Sequence, residues 1–209
     1  MACVLVDIGI GNLHSAEKAL RREAPDGATI EVTDDPEAVR RAERIVLPGD
    51  GAFPACMAAL EARFGLAEAL HEAVRARGAP FLGICVGMQM MARAGHEHRT
   101  VAGLGWIDGE VHPIAPTDPA LKVPHMGWNE LSIVRAHPVL DGIAEGDHAY
   151  FVHGYAMRAA PAQVLARCDY GGPVTAVVAE GTAVGAQFHP EKSQATGLRL
   201  LRNFLRWRP

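Results

Sequence analysis

The sequence contains no run approaching the roughly 18 consecutive apolar residues that a membrane-spanning helix needs, so no such helix is expected. Its opening, Met1-Ala2-Cys3-Val4-Leu5-Val6-Asp7, lacks the basic stretch that begins a signal peptide and reads as a strand that starts at once. Cysteine is sparse: Cys3, Cys56, Cys85 and Cys168 stand apart with no CxxC pairing, against both a disulfide framework and a zinc site. A soluble protein of a reducing cytoplasm is the expectation. Basic residues are mostly Arg and form no block, and the formal net charge is −4, so nothing suggests a nucleic-acid partner. There is no internal repeat, linker or low-complexity tract.

What is present suits one compact unit. The 209 residues are 49% hydrophobic and 21% charged, the proportions of an ordinary globular enzyme, and one domain over residues 1–209 is expected. The first half alternates strand and helix signals. Cys3–Ile8 is continuously apolar, as a strand buried on both faces should be, and Asn12 is placed to cap a helix to about Arg22. Ala28–Val32 follows as a strand, then Asp35-Pro36 as an N-cap with Pro at the first helical position. Arg44–Leu47, a helical stretch Phe53–Arg77 broken near Gly65, and the strand Pro80–Cys85 complete the series, with a helix starting at Val86. Such repeats imply an α/β fold with a mostly parallel central sheet and flanking helices.

The second half is β-rich. Its candidate strands are Trp106–Ile114, Trp128–Val134, Ala149–Tyr155, Val164–Asp169, Val174–Ala179 and Ala183–Phe188. Ser193–Trp207 carries Leu198, Leu201, Phe204 and Leu205 at helical spacing, which predicts an amphipathic helix docked on the sheet.

Three segments carry chemistry. Gly83-Ile84-Cys85-Val86-Gly87 has the form of a nucleophile elbow, where a strand stops and a helix begins. Small residues two before and two after leave room for neighbouring backbone, and free N–H groups at the helix start favour an anionic sulfur. Pro48-Gly49-Asp50-Gly51 follows another strand at the same sheet edge, where a glycine-rich turn can aim N–H groups at an oxyanion. Gln187-Phe188-His189-Pro190-Glu191 ends a third apolar strand. Two-residue spacing along an extended chain puts His189 and Glu191 on one side, the arrangement of a base and the group that orients it. Taken singly, each has a bland reading: a core cysteine, a plain turn, one histidine among ten. Two weaker signals fail. Gly9-Ile10-Gly11-Asn12 has His14 where a dinucleotide loop needs its third glycine, and His96-Glu97-His98 has no further ligand near it in sequence, so it reads as a solvated loop.

Cys in G-x-C-x-G with His-x-Glu about a hundred residues later resembles the triad of class I glutamine amidotransferases. Asp7–Leu13, Leu47–Phe53, Gly83–Gln89, Pro124–Asn129, Tyr150–His153 and Gln187–Ser193 appear in order and resemble the branch of that family that supplies ammonia to histidine biosynthesis. The most specific of these is Pro124-His125-Met126-Gly127-Trp128-Asn129. Departures are Ile8 where that branch often has Tyr, Asp50 where it often has Val, and Gly154 where Ser is expected.

The resemblance implies a three-layer amidotransferase fold and glutamine hydrolysis to glutamate and ammonia without cofactor or metal. Cys85 is then the nucleophile, His189 the base and then the acid, and Glu191 the orienter. Gly49, Asp50 and Val86 would form the oxyanion hole, and Gly51 and Gln89 would contact glutamine. The implied partner is a cyclase subunit of (β/α)8-barrel fold, met through Trp128 and Lys192, which makes imidazole glycerol phosphate and an aminoimidazole carboxamide ribonucleotide. Two other readings stay open on the triad alone: a different synthase partner, against which Pro124–Asn129 speaks, and a non-catalytic regulator, against which the complete triad speaks.

Overall fold

The computed structural model describes residues 1–209. In the first half, apolar strands alternate with helices: β1 (Ala2–Val6), α1 (Leu13–Glu23), β2 (Thr29–Thr33), α2 (Pro36–Arg41), β3 (Arg44–Gly49), α3 (Phe53–Glu61), α4 (Leu66–His71), β4 (Phe81–Cys85) and α5 (Val86–Gln89). The caps read from the sequence are in place. The Asn12 side chain accepts from the Ser15 N–H at 3.4 Å and that of Asp35 from the Glu37 N–H at 2.9 Å. Gly65, at φ 78°, separates α3 from α4. That conformation costs glycine little, so the helical stretch breaks there.

The second half contributes β5 (Ala94–Gly95), β6 (Val101–Ala102), β7 (Gly109–Pro113), β8 (His125–Glu130), β9 (Ser132–Ile133), β10 (His148–His153), β11 (Tyr155–Ala159), β12 (Val164–Asp169), β13 (Pro173–Glu180), β14 (Ala183–Ala186) and α6 (Gln194–Arg206). The main sheet runs β2-β1-β3-β4-β14-β13-β12-β9. Pairing is parallel from β2 to β14 and antiparallel beyond, so the α/β expectation of a mostly parallel sheet and a β-rich second half holds. Two small sheets, β10-β8 and β11-β7-β5-β6, stand beside it. No helix is long and apolar enough to cross a membrane. One contiguous apolar core runs beneath both halves.

Two expected strands are divided between sheets. Trp128–Val134 splits into β8 and β9, and Ala149–Tyr155 splits at Gly154 into β10 and β11. Apolar alternation marks extended chain but not which neighbour it pairs with. Trp106–Ile114 is extended only from Gly109, because the Trp106 and Ile107 N–H groups both donate to the Met91 carbonyl. Conversely, β3 runs two residues past its expected end, with Pro48 and Gly49 paired to Ile84 and Cys85. A buried arginine was also not foreseen. Arg44, inside β3, donates to the carbonyls of Leu205 and Trp207 and so fastens the end of α6 to the sheet. On its other flank α6 meets α1 through the Arg202–Glu23 ion pair at 2.7 Å.

Candidate active site

The junction of β4 and α5 holds Cys85 at φ 54°, ψ −112°, a region that L-residues rarely occupy and that costs about 1–3 kcal/mol where the surroundings enforce it. The enforcement is steric. A Cβ on Gly87 would lie 1.9 Å from the Leu47 carbonyl oxygen, and one on Gly83 would lie 2.5 Å from the Gly87 oxygen. Three stretches of backbone therefore touch at the elbow, which is why glycine flanks the cysteine on both sides. α5 starts at Val86 as expected and is a single turn, so any field at Cys85 comes from a few local N–H groups rather than a long helix.

Parallel pairing of β3 with β4 sets Gly49 directly opposite Cys85. Asp50 follows at the sheet edge and is exposed, and its carboxylate accepts from the Gly51 N–H at 2.8 Å. The Asp50 carbonyl accepts from the Cys56 thiol at 3.2 Å. The departure at position 50 thus has a consequence, since one N–H of the glycine-rich turn is already taken. Gly51 itself has a φ of 78° and open space around it.

β14, next to β4, ends at Ala186 and delivers Gln187 and His189 to the same edge. His189 and Glu191 meet, though not by strand alternation as the spacing had implied. A 3-10 turn, Pro190–Lys192, folds the carboxylate back onto the ring, leaving His189 Nδ1 and Glu191 Oε1 2.7 Å apart. Ser193 locks this turn: its hydroxyl donates to the His189 carbonyl at 2.7 Å and accepts from the Tyr150 N–H at 2.9 Å. Both side chains are buried, and His189 Nε2 and Glu191 Oε2 have no hydrogen-bond partner. Burial pushes the His189 imidazole down, but the adjacent Cys85 sulfur and Glu191 carboxylate outweigh it, and the ring is held above its ordinary basicity. Chemically, this is a base with one nitrogen held by a carboxylate and the other free for a proton in transit.

The sequence reading missed a buried relay behind the nucleophile. Gln187 Nε2 donates to Cys85 Sγ at 3.7 Å, while Gln187 Oε1 accepts from Gln89 Nε2 at 3.0 Å. Gln89, 2% exposed, donates from the same nitrogen to the Tyr155 carbonyl at 2.9 Å. That carbonyl also lies 2.9 Å from His153 Nδ1, and a carbonyl only accepts, so Nδ1 carries the hydrogen. The tautomers follow in turn. His153 Nε2 accepts from His125 Nδ1 at 3.0 Å, and His125 Nε2 accepts from Asn129 Nδ2 at 3.2 Å. Burial pushes both imidazoles down to about 4, so the pair is neutral near pH 7. The signal for this was present in Pro124–Asn129 and Tyr150–His153, but only the pairing of β8 with β10, His125 opposite His153, brings the rings together.

The expected partner-facing residues are on the surface. Trp128 is 47% exposed on β8, with its ring edge-on to Tyr150 at 5.9 Å, and Met126 and Val123 are exposed beside it. Lys192 is exposed on the turn that carries Glu191. The Gly9–Asn12 loop caps α1 and packs Gly11 near Pro48, in keeping with the failed dinucleotide fingerprint. His96 departs from the solitary-loop reading: pairing of β5 with β7 brings Glu110 and His112 to it.

The chain matches a known family. The description "Glutamine amidotransferase class-I" matches residues 4–207, and the chain belongs to that family. Two solved structures share the fold at 20% identity. One is described as a glutamine amidotransferase (TM-score 0.73, covering 97% of this chain and 96% of that one). The other is described as a putative GMP synthase protein from Thermoplasma acidophilum (TM-score 0.71, 98% and 92%). Among curated relatives, the chain is 61% identical over 212 residues to the imidazole glycerol phosphate synthase subunit HisH of Cereibacter sphaeroides. It is 58% identical to the HisH subunit of Ruegeria pomeroyi, and both matches cover 100% of each chain.

Proposed function

We propose that this chain hydrolyses glutamine to glutamate and ammonia, and that the ammonia passes to a cyclase subunit of (β/α)8-barrel fold in the cytoplasm. That partner makes imidazole glycerol phosphate and an aminoimidazole carboxamide ribonucleotide in histidine biosynthesis. Full-length likeness to HisH subunits supports the pathway. The observation that carries the chemistry is the pairing of a conformationally strained Cys85 with a buried His189–Glu191 couple whose outer nitrogen is free.

The steps follow from that arrangement. Cys85 gives its proton to His189 Nε2, and the sulfur attacks the side-chain amide carbon of glutamine. The tetrahedral oxyanion forms beside the main chain of Gly49, Asp50 and Val86, and the imidazolium returns its proton to the leaving ammonia. Water, deprotonated by His189, then hydrolyses the γ-glutamyl thioester. Glu191 holds the ring by Nδ1 throughout. Gly51 and Gln89 complete the substrate site; both hydrogens of the Gln89 amide are bound within the protein, so it would meet glutamine through Oε1. The exposed apolar group of Val123, Met126 and Trp128, with Lys192 close to the triad in sequence, forms the docking face.

Cys85→Ala in the assembled complex separates the two activities. Glutamine-dependent synthesis should vanish while synthesis from added ammonium salt persists, because the cysteine serves only amide cleavage. Near wild-type product from glutamine would refute the assignment. The chain should also turn over slowly alone and faster in the complex with nucleotide bound. Reorienting one N–H of the Asp50–Gly51 turn toward the oxyanion is worth ~10²–10³ in kcat. Equal kcat for the free chain, the complex and the liganded complex would eliminate that gate.

A further inference from the structure

Away from Cys85, the small sheet carries a cluster that amide hydrolysis does not use. Glu110 and His112 are two apart on β7 and therefore share a face, and parallel pairing of β5 with β7 (Gly95 opposite Val111) brings His96 alongside His112. The two imidazoles stack with centroids 4.6 Å apart and planes 22° from parallel. Glu110 Oε2 lies 2.9 Å from His96 Nε2 and 3.6 Å from His112 Nε2, and one ligand atom from each residue falls within 4.8 Å of the others.

We propose that His96, Glu110 and His112 form a binding site for a divalent transition-metal ion of the zinc class. Ligands on a tetrahedral ion with bonds of ~2.0–2.1 Å stand roughly 3.3 Å apart. The two distances to Glu110 bracket that spacing, and the imidazole nitrogens lie within 4.8 Å of each other, so the partly exposed rings must turn toward one point to close the set. The placement is economical: i and i+2 on one strand plus a cross-strand neighbour present three donors to one point without bending the backbone. Two nitrogens and one carboxylate oxygen select a zinc-class ion over calcium or magnesium, which take oxygen. The outer contacts can adapt to a ligated state. In the ion-free neutral ring His96 Nε2 donates to the Glu110 carboxylate at 2.9 Å and the Thr100 hydroxyl donates to Nδ1 at 3.0 Å; when an ion takes Nε2, the hydrogen moves to Nδ1 and the hydroxyl turns to accept it. Arg93 approaches the other carboxylate oxygen of Glu110, Oε1, at 3.6 Å, leaving Oε2 for the ion. The remaining position faces solvent and takes water.

The site reaches a structural consequence through one residue. Glu97, next after His96, accepts the Phe53 N–H at 2.7 Å at the start of α3, the helix that follows the Asp50–Gly51 turn. Tying His96 to β7 therefore fastens the segment that caps α3. The effect expected is on stability, since His96, Glu110 and His112 are not among the residues that carry the amide hydrolysis.

Cobalt(II) titration of the full chain, without any histidine tag, tests this by visible absorption and thermal melting. One cobalt should bind with d–d bands of four- or five-coordination, and a hundredfold excess over Kd should raise Tm by about 5–10 °C. His96→Gln and His112→Gln should each weaken binding at least tenfold while melting as wild type without metal. Thr100→Val should weaken it less than either glutamine variant does, by about tenfold, the low end of what lost outer contacts cost. A cobalt affinity unchanged in both glutamine variants would place the metal on a thiol or another histidine and overturn the site. So would failure of the wild type to bind below about millimolar cobalt.

Discussion

His189 and His153 are both buried, 3% and 6% exposed, and each makes one short hydrogen bond through Nδ1, yet their surroundings drive them in opposite directions. His189 Nδ1 meets a carboxylate and the ring also neighbours the Cys85 sulfur, so the imidazolium is stabilised. His153 Nδ1 meets a backbone carbonyl, with a second imidazole at its other nitrogen, so desolvation prevails and the ring is pushed down to about 4. Burial alone does not say what a histidine is for. The atom opposite its Nδ1 makes one ring a proton acceptor and the other a fixed, neutral link.

The contrast is broken most severely at the base. His189→Ala should lower the glutaminase rate by ~10²–10⁴-fold, whereas His153→Phe, which removes no group from the proton path, should cost far less. Comparable losses in steady-state assays of the two complexes would erase the distinction. Glu191→Gln should fall between them, because it replaces the carboxylate that orients the ring and sustains its basicity but leaves the acceptor nitrogen. A greater loss at Glu191 than at His189 would reverse their roles.

The neutral pair also sits on the inner side of β8, whose outer side carries the apolar docking group. Trp128→Ala should weaken binding to the cyclase by ~2 kcal/mol, about thirtyfold in Kd, and Lys192→Ala by less. Titration calorimetry showing no change in either variant would move the interface elsewhere.

The smallest effect expected is on pH-dependent stability. The folded-state value of His153, about 4, lies below the unfolded value of about 6.5, so in that window the unfolded chain binds the proton first. Its contribution is therefore intact above the unfolded value and is lost as pH falls toward the folded one. Melting temperatures of wild type and His153→Phe, compared between pH 7 and pH 4.5, should show the shallower slope in the variant. Parallel slopes would mean that His153 titrates normally.

Sequence alone determined the features that short stretches of chain impose on themselves. The alternation of strands and helices, the caps at Asn12 and Asp35 and the break at Gly65 were legible because each depends on φ/ψ freedom and hydrogen bonds within a few residues. The elbow around Cys85 was legible by its two glycines, although the contact of Gly87 with Leu47 that requires one of them is long-range. His189 and Glu191 were legible as a pair, though a 3-10 turn and not strand alternation joins them. Tertiary structure decided who meets whom across long separations. Arg44 reaches Trp207 across 163 positions, Gln187 reaches Cys85 across 102, and His125 reaches His153 across 28. It also divided two apparent strands between sheets and brought His96 to Glu110 and His112. The physical reason is that side-chain periodicity specifies a buried face, while strand order and register select the neighbour, and these are settled only when the whole core packs at once.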